Sequence, residues 1–163
     1  VPGTNAGIQS SIIYLVIYLV MNLGAFGCIF MMKRDNVFFE NINDLSGLSK
    51  NHPALALSFL IILFSLAGIP PLAGFFAKFY IFMSVIEAEM YTLAVIGLLT
   101  TVISAFYYLR VIKIIYFDKP KESFQKDYNW GLKISLILSS LLILTYFAYP
   151  SILIDTISSI IIN

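Results

Sequence analysis

The chain has 163 residues, of which 60% are hydrophobic and only 12% are charged, and its mean hydropathy is +0.90. Soluble domains are about half apolar and a quarter charged, so this composition indicates a membrane protein. Ten Lys and Arg against nine Asp and Glu give a net charge of +1, which excludes the basic surface that nucleic-acid binding needs. One cysteine, Cys28, and one histidine, His52, predict no disulfide, iron–sulfur site or metal site within the chain.

Long stretches almost free of ionisable residues alternate with charged loops. Because about 20 apolar residues span a bilayer, this pattern predicts an all-α, polytopic membrane protein with four transmembrane helices. The chain is expected to form a single membrane domain, and its tail is too short to span and is expected to lie at the interface or to pack on a neighbour. The predicted spans are residues 11–32, 53–86, 90–109 and 132–149, the loops are 33–52 and 110–131, and the tail is 150–163.

The positive charges support four crossings. Of the ten Lys and Arg residues, all but Lys78 lie in the two charged loops or at their ends. Four crossings place both loops on one side of the membrane, which the positive-inside rule identifies as the cytoplasm or the mitochondrial matrix. If the second stretch crossed twice, the two basic loops would fall on opposite sides.

The second stretch is predicted to be a broken helix. As one straight helix it would be about 51 Å long, against a hydrocarbon core of about 30 Å. Pro70 and Pro71 remove two backbone donors near its middle, and Gly68 and Gly74 tolerate unusual torsions. Since hydrocarbon cannot satisfy the unpaired backbone groups at such a break, the break is expected to lie inside protein or beside water.

Lys78 follows this break and is the candidate functional residue. A lysine inside a bilayer costs about 2.5 to 3.5 kcal/mol on insertion scales, so its presence calls for a reason. Because desolvation disfavours the charged form, a buried lysine can gain and lose a proton, which makes Lys78 a candidate for proton transfer. The alternative is a structural role, or a side chain that extends to the membrane surface near Glu87, about 12 to 13 Å away along a helix.

Small hydroxyl residues on the third predicted helix follow helical spacing. Thr100, Thr101 and Ser104 could face Lys78 and line a chain of water molecules. The same residue types are also common packing contacts between membrane helices, so both interpretations remain.

Several segments resemble the C-terminal part of the subunit 2 family of respiratory complex I, called subunit N in bacteria. The resemblance covers nearly the whole chain in order and is most specific in the second segment. It is carried by Tyr18-Leu-Val-Met-Asn-Leu-Gly-Ala-Phe26, Asp44-Leu-Ser-Gly-Leu48, His52-Pro-Ala-Leu-Ala-Leu57, Ser65-Leu-Ala-Gly-Ile-Pro-Pro-Leu-Ala-Gly-Phe-Phe-Ala-Lys-Phe-Tyr80 and Tyr107-Tyr-Leu-Arg-Val111.

This resemblance implies a fold and a role for the chain. The family consists of antiporter-like, proton-translocating subunits with fourteen helices, and this chain resembles helices eleven to fourteen. It implies that Lys78 is a proton-transfer residue on the exit half of the pathway. NADH, FMN, iron–sulfur clusters and ubiquinone are then expected in other subunits, and none is expected to bind to this chain.

The resemblance also implies partners. A further chain or segment would supply the first ten helices of the same subunit, beside neighbouring antiporter-like and small membrane-arm subunits and the lipid bilayer. We expect an excerpt or a split subunit in the mitochondrial inner membrane with its basic loops in the matrix; the bacterial plasma membrane is the alternative location. Alternative functions are a subunit of a multisubunit cation/proton antiporter or of a plastid-type complex, or a purely structural membrane-arm subunit.

Overall fold

The computed structural model describes residues 2–34, 37–39, 41–124 and 130–162. Within this part the chain is all-α, as predicted, apart from a hairpin of two two-residue strands and a short 3₁₀ helix. The hairpin pairs β1 (Lys33–Arg34) with β2 (Val37–Phe38) in antiparallel register, and the 3₁₀ helix is Ile42–Leu45. The α-helices are α1 (Asn5–Phe30), α2 (Leu48–Asn51), α3 (Pro53–Ala67), α4 (Ala73–Glu87), α5 (Tyr91–Phe117), α6 (Trp130–Thr145) and α7 (Pro150–Ile162).

Helices α1 and α5 extend furthest beyond the predicted spans. Helix α1 begins six residues before position 11, because the Thr4 hydroxyl accepts a hydrogen bond from the Gly7 amide at 3.1 Å and caps the first turn. Helix α5 continues past Arg110 and Lys113 to Phe117. Long cationic side chains can extend towards water from within a helix, so these two residues do not require the helix to end.

The C-terminal region also differs from the predicted bounds. Helix α6 ends at Thr145, four residues before the predicted limit, and Pro150 starts α7, as suits a proline at a first helical position. Helix α7 packs on α1, where the Gln9 side-chain amide donates to the Ser158 hydroxyl at 2.7 Å. The tail is therefore a helix that contacts the chain's own first helix.

Helix α1 lies at the centre of the bundle. It packs against α3, α4, α6 and α7, while α5 packs mainly on α3 and more lightly on α4. The contacts are made mainly by apolar side chains, whose burial and dispersion contacts stabilise the bundle. The largest apolar side chains among the fully buried ones are Met21, Cys28, Ile62, Ile115 and Ile143.

The two charged loops meet at one end of the bundle, which we call the basic end. The Gly47 amide donates to the Ile114 carbonyl at 3.0 Å, and the Lys121 amide donates to the Ser46 carbonyl at 3.2 Å. Lys121 also forms a 3.4 Å ion pair with Asp44. These contacts place the loop after α1 and the loop after α5 on the same side of the bundle.

The opposite end contains the start of α1, the α4–α5 turn and α7. There the Ser10 hydroxyl lies 3.1 Å from that of Ser84, and both residues are buried. Glu87, the last residue of α4, and Glu89, in the turn that follows, are both exposed. The chain from α3 to α4 therefore runs once from the basic end to the opposite end.

Helix length identifies fewer membrane spans than the sequence pattern does. Among the described residues, Asn5–Phe30 and Tyr91–Phe117 are long and apolar enough to cross a membrane. Pro53–Ala67 and Trp130–Thr145 are apolar but shorter. Length and composition thus give two clear spans, whereas the charge pattern predicts four.

Candidate functional site

The break in the second stretch begins with a glycine cap at the end of α3. Gly68 has φ of 86°, a left-handed conformation that costs a residue without Cβ little. Its amide donates to the carbonyls of Phe64 and Ser65 at 3.1 and 2.9 Å, and the Ile69 amide donates to Phe64 at 3.0 Å. This is the Schellman arrangement, which ends a helix and turns the chain away.

Pro70 and Pro71 form the exposed turn that follows, and α4 restarts at Ala73. No side chain of the turn caps α4; the hydroxyl of Ser65, on α3, accepts from the Gly74 amide at 2.9 Å. Gly74 permits this approach because a Cβ there would stand 1.9 Å from the Ser65 carbonyl oxygen. The two half-helices are therefore joined across the break, and the predicted break residues Gly68, Pro70, Pro71 and Gly74 all lie in this one element.

Replacing Ser65 by alanine should destabilise the break. Ser65 is fully buried, and its loss would leave the Gly74 amide without a partner. An unsatisfied buried donor costs about 1 to 3 kcal/mol, so the midpoint of thermal unfolding in detergent should fall. Ser58→Ala is the control, since that hydroxyl only returns to the Ala54 carbonyl of its own helix. Equal midpoints for the two variants would contradict the joining role of Ser65.

Lys78 lies one turn into α4 and its amine turns back to the break. Its Nζ donates to the carbonyl of Leu66 at 2.9 Å and to that of Ala67 at 3.4 Å. These two carbonyls belong to the last turn of α3, where no further helix amide is available to them. The amine therefore caps α3 and points away from Glu87, so the side chain does not extend to the surface at that end.

A polar cavity of about 270 Å³ opens beside Lys78. The structure brings the predicted residues Thr100, Thr101 and Ser104 to this cavity. Their hydroxyls donate to carbonyls of their own helix, at Gly97 and Thr100, over 2.8 to 3.0 Å. Each oxygen keeps acceptor capacity for a water or an ammonium group. The polar cavity is lined by Tyr14, Tyr18, Met21, Leu66, Lys78, Thr100, Thr101, Ser104 and Tyr108.

A second cavity of about 310 Å³ lies next to the first, towards the opposite end. Lys78, Tyr14 and Thr101 line both cavities and so mark the boundary between them. We call the second one the apolar cavity, because the other described residues that line it carry no polar side chain. They are Ile81, Phe82, Val85, Leu93, Ala94 and Gly97.

Sequence reasoning missed Tyr14 as a site residue. The available signal was its spacing of four residues from Tyr18, which places both on one helix face, where their rings stack at 5.7 Å. Two further polar residues of the bundle, Asn22 and Ser139, lie outside the site. Asn22 donates to the Tyr18 carbonyl within α1, and Ser139 is buried on α6 and lines neither cavity.

Comparison with known proteins identifies the class to which this fold and site belong. Residues 1–104 match the family model described as NADH:quinone oxidoreductase/Mrp antiporter, transmembrane. The chain therefore belongs to this family of antiporter-like membrane proteins, and it is a membrane protein.

Within this class the chain is similar to one particular subunit. It is 66% identical to NADH-quinone oxidoreductase subunit N of Pelagibacter ubique over 97% of the chain and 34% of the relative, and 51% identical to subunit N of Parvibaculum lavamentivorans over 91% and 31%. Its fold matches a chain of respiratory complex I from Thermus thermophilus with bound aureothin, with TM-score 0.77 and 28% identity, over 93% of this chain and 34% of that one. The chain thus spans about a third of the length of these relatives, and the predicted resemblance is confirmed.

Proposed function

We propose that the chain forms a proton-translocating part of subunit N of a NADH-quinone oxidoreductase, in which Lys78 carries the proton. The carrying observation is the position of the Lys78 amine, at the break between two half-helices and at the wall of a polar cavity. In the four-crossing arrangement proposed below, Lys78 lies within the membrane, where an ionisable group is a functional site by default because its burial is otherwise unfavourable.

We propose four crossings, made by α1, by α3 and α4 together, by α5 and by α6, with α7 at the membrane surface. The support comes from the ends of the bundle: the two basic loops contact each other, and α7 meets the start of α1 at the other end. The outer face of α5 is also apolar, with Leu99, Val102 and Phe106 60 to 68% exposed. Lipid or a neighbouring subunit would cover such a face.

In this proposal the proton reaches Lys78 through the polar cavity. Water in that cavity could hydrogen-bond to Thr100, Thr101 and Ser104, whose oxygens keep free lone pairs. A chain of such hydrogen bonds moves a proton without moving the side chains that line it. The proton would leave towards the opposite end, which carries none of the loop lysines described above.

The rest of the subunit and the redox subunits of the complex lie outside this chain. Because the relatives are about three times longer, a further segment or chain must complete the subunit and supply the first part of the proton path. Electron transfer from NADH, with FMN, iron–sulfur clusters and quinone, belongs to other subunits, so this chain alone performs no redox catalysis. Neighbouring antiporter-like and small membrane-arm subunits are its expected partners.

The two main alternatives are a subunit of a cation/proton antiporter and a purely structural role for Lys78. The family description also includes the Mrp antiporters, but the similarity to subunit N favours the oxidoreductase. A purely structural lysine would pair with a neighbour's carboxylate, whereas the Lys78 amine is already bonded to carbonyls of its own chain.

The relatives reported above are bacterial, which supports the plasma membrane over the mitochondrial inner membrane.

Replacement of Lys78 by methionine or arginine in the complete complex tests the proposal. Methionine cannot carry a proton, and arginine does not release one, so proton transfer through this subunit should slow about 100-fold or more, as loss of an acid–base group does. The measurement is the number of protons pumped per NADH oxidised in proteoliposomes, together with NADH oxidation in the presence of an uncoupler.

Lys113→Met is the control for these variants, because it removes a positive charge at the basic end, where Lys113 pairs with Asp118. Pumping should stay normal in this variant. A Lys78→Met complex that assembles and pumps like the control would exclude Lys78 as the carrier, and a complex that fails to assemble with methionine but pumps normally with arginine would establish the structural alternative.

A further inference from the structure

The apolar cavity separates Lys78 from the opposite end of the bundle. Of the described residues that line it, the three with polar side chains, Tyr14, Lys78 and Thr101, all stand at its boundary with the polar cavity. A buried water needs two to four polar partners. Beyond the boundary the lining offers aliphatic and aromatic side chains, so a continuous water chain is unfavourable there.

Phe82 is one of the aromatic residues that line the apolar cavity. It follows Lys78 by four residues and so lies on the same face of α4, one turn nearer the opposite end. Its ring rests on Gly97 of α5: a Cβ built on Gly97 would stand 2.8 and 3.3 Å from two ring carbons, Cε1 and Cζ. Gly97 itself precedes Thr101 by four residues. The contact between ring and glycine therefore lies one turn beyond the level of Lys78 and Thr101.

We infer that Phe82, seated on Gly97, is a hydrophobic gate that closes the release side of Lys78. This inference rests on the proposed function and adds the residue that decides when the proton can leave. Hydrophobic constrictions close a pathway by excluding water. While the ring rests on Gly97, Lys78 exchanges protons with the polar cavity only. When the ring leaves Gly97, the apolar cavity opens to water and connects Lys78 to the opposite end.

A gate at this position answers a requirement of any proton pump. If Lys78 were connected to both sides at once, protons would run back down the gradient, and the energy of electron transfer would be lost. Each proton that returns across 100 mV dissipates about 2.3 kcal/mol. Phe82 has no ionisable group and does not carry the proton in this scheme; it acts by positioning its ring against α5.

Phe82→Ala should make the resting complex leak protons. The purified complex is placed in proteoliposomes, a membrane potential is imposed without NADH, and proton flux is followed with a pH-sensitive dye. We expect flux about tenfold above the wild-type complex, the change that a barrier lowered by about 1.4 kcal/mol gives. Phe82→Leu, which keeps part of the apolar volume, should give an intermediate flux. Phe79→Ala is the matched control, since Phe79 lies on the same helix, is 47% exposed and lines neither cavity.

The double variant Phe82→Ala with Lys78→Met identifies the route of the leak. Loss of the leak in the double variant supports the gate, because the proton then passes through Lys78. A leak that survives removal of Lys78, or a flux equal to that of Phe79→Ala, overturns it. If Phe82→Ala does not assemble, Phe82→Leu decides alone: flux above wild type supports the gate and unchanged flux overturns it. The proposed function is judged separately, by pumping in Lys78→Met during NADH oxidation.

Discussion

Substitution of Gly74 by alanine is expected to remove the chain from the assembled complex. The new Cβ would stand 1.9 Å from the Ser65 carbonyl oxygen and 2.7 Å from its carbon. Both are backbone atoms of α3, so no side chain can rotate away, and α4 must move off α3. Overpacking of a well-packed interior costs about 1 to 3 kcal/mol and more where the backbone must shift. The shift would also break the bond from the Gly74 amide to Ser65.

The measurement for this variant is the amount of the chain in native complexes from solubilised membranes. Gly27→Ala is the control: it makes the same exchange inside α1, where a Cβ would meet, among the described residues, no atom within 4 Å beyond the helix's own backbone and the chain neighbours of Gly27. Alanine favours a helix over glycine by about 1 kcal/mol, so the control should assemble normally. Normal assembly of Gly74→Ala would show that the two half-helices need not approach this closely.

Substitution of Gly47 by alanine should open the basic end. Gly47 has φ of 64°, and a Cβ there would stand 2.4 Å from the Cα of Pro120 and 2.5 Å from its nitrogen. Left-handed strain and a backbone clash add to about 2 kcal/mol or more. The loop around Lys121 would then leave Ser46 and Asn51, to which it is hydrogen-bonded.

Trypsin cleavage after Lys121, from the basic side of oriented vesicles, measures this opening. A rate at least about tenfold above wild type is expected, since 1.4 kcal/mol already changes an opening equilibrium tenfold. Gly3→Ala is the control, because a Cβ at Gly3 would meet no atom within 4 Å in the described part of the chain apart from its own chain neighbours. An unchanged cleavage rate in Gly47→Ala would contradict the contact between the two loops.

The helix break could be predicted from the sequence because it depends on local chemistry. Pro70 and Pro71 lack amide donors, and Gly68 suits a left-handed cap, so the chain must leave the helix there whatever surrounds it. The helical spacing of the hydroxyl residues on α5 also predicted that they face Lys78. The structure places Thr100, Thr101 and Ser104 at the same cavity as Lys78.

The partners of Lys78 could not be predicted in this way. They are two backbone carbonyls, of Leu66 and Ala67, and every residue type carries the same carbonyl. The residue at which α3 ends and the direction of the following turn decide which carbonyls the Lys78 amine can reach. Both are properties of the three-dimensional structure. The contact between Gly47 and Pro120 was hidden for a similar reason, since it joins loops far apart in sequence.

The bond from Lys78 to the end of α3 has a consequence for genetics. A lysine paired with a glutamate can be exchanged for the reversed pair, and a suppressor mutation can restore a lost partner. Lys78 has no partner side chain that a second mutation could replace. Its acceptors are main-chain carbonyl oxygens, and no substitution changes their charge. Those oxygens accept hydrogen bonds but do not carry the proton away, so revertants of Lys78 variants should restore the lysine itself rather than a compensating acid elsewhere.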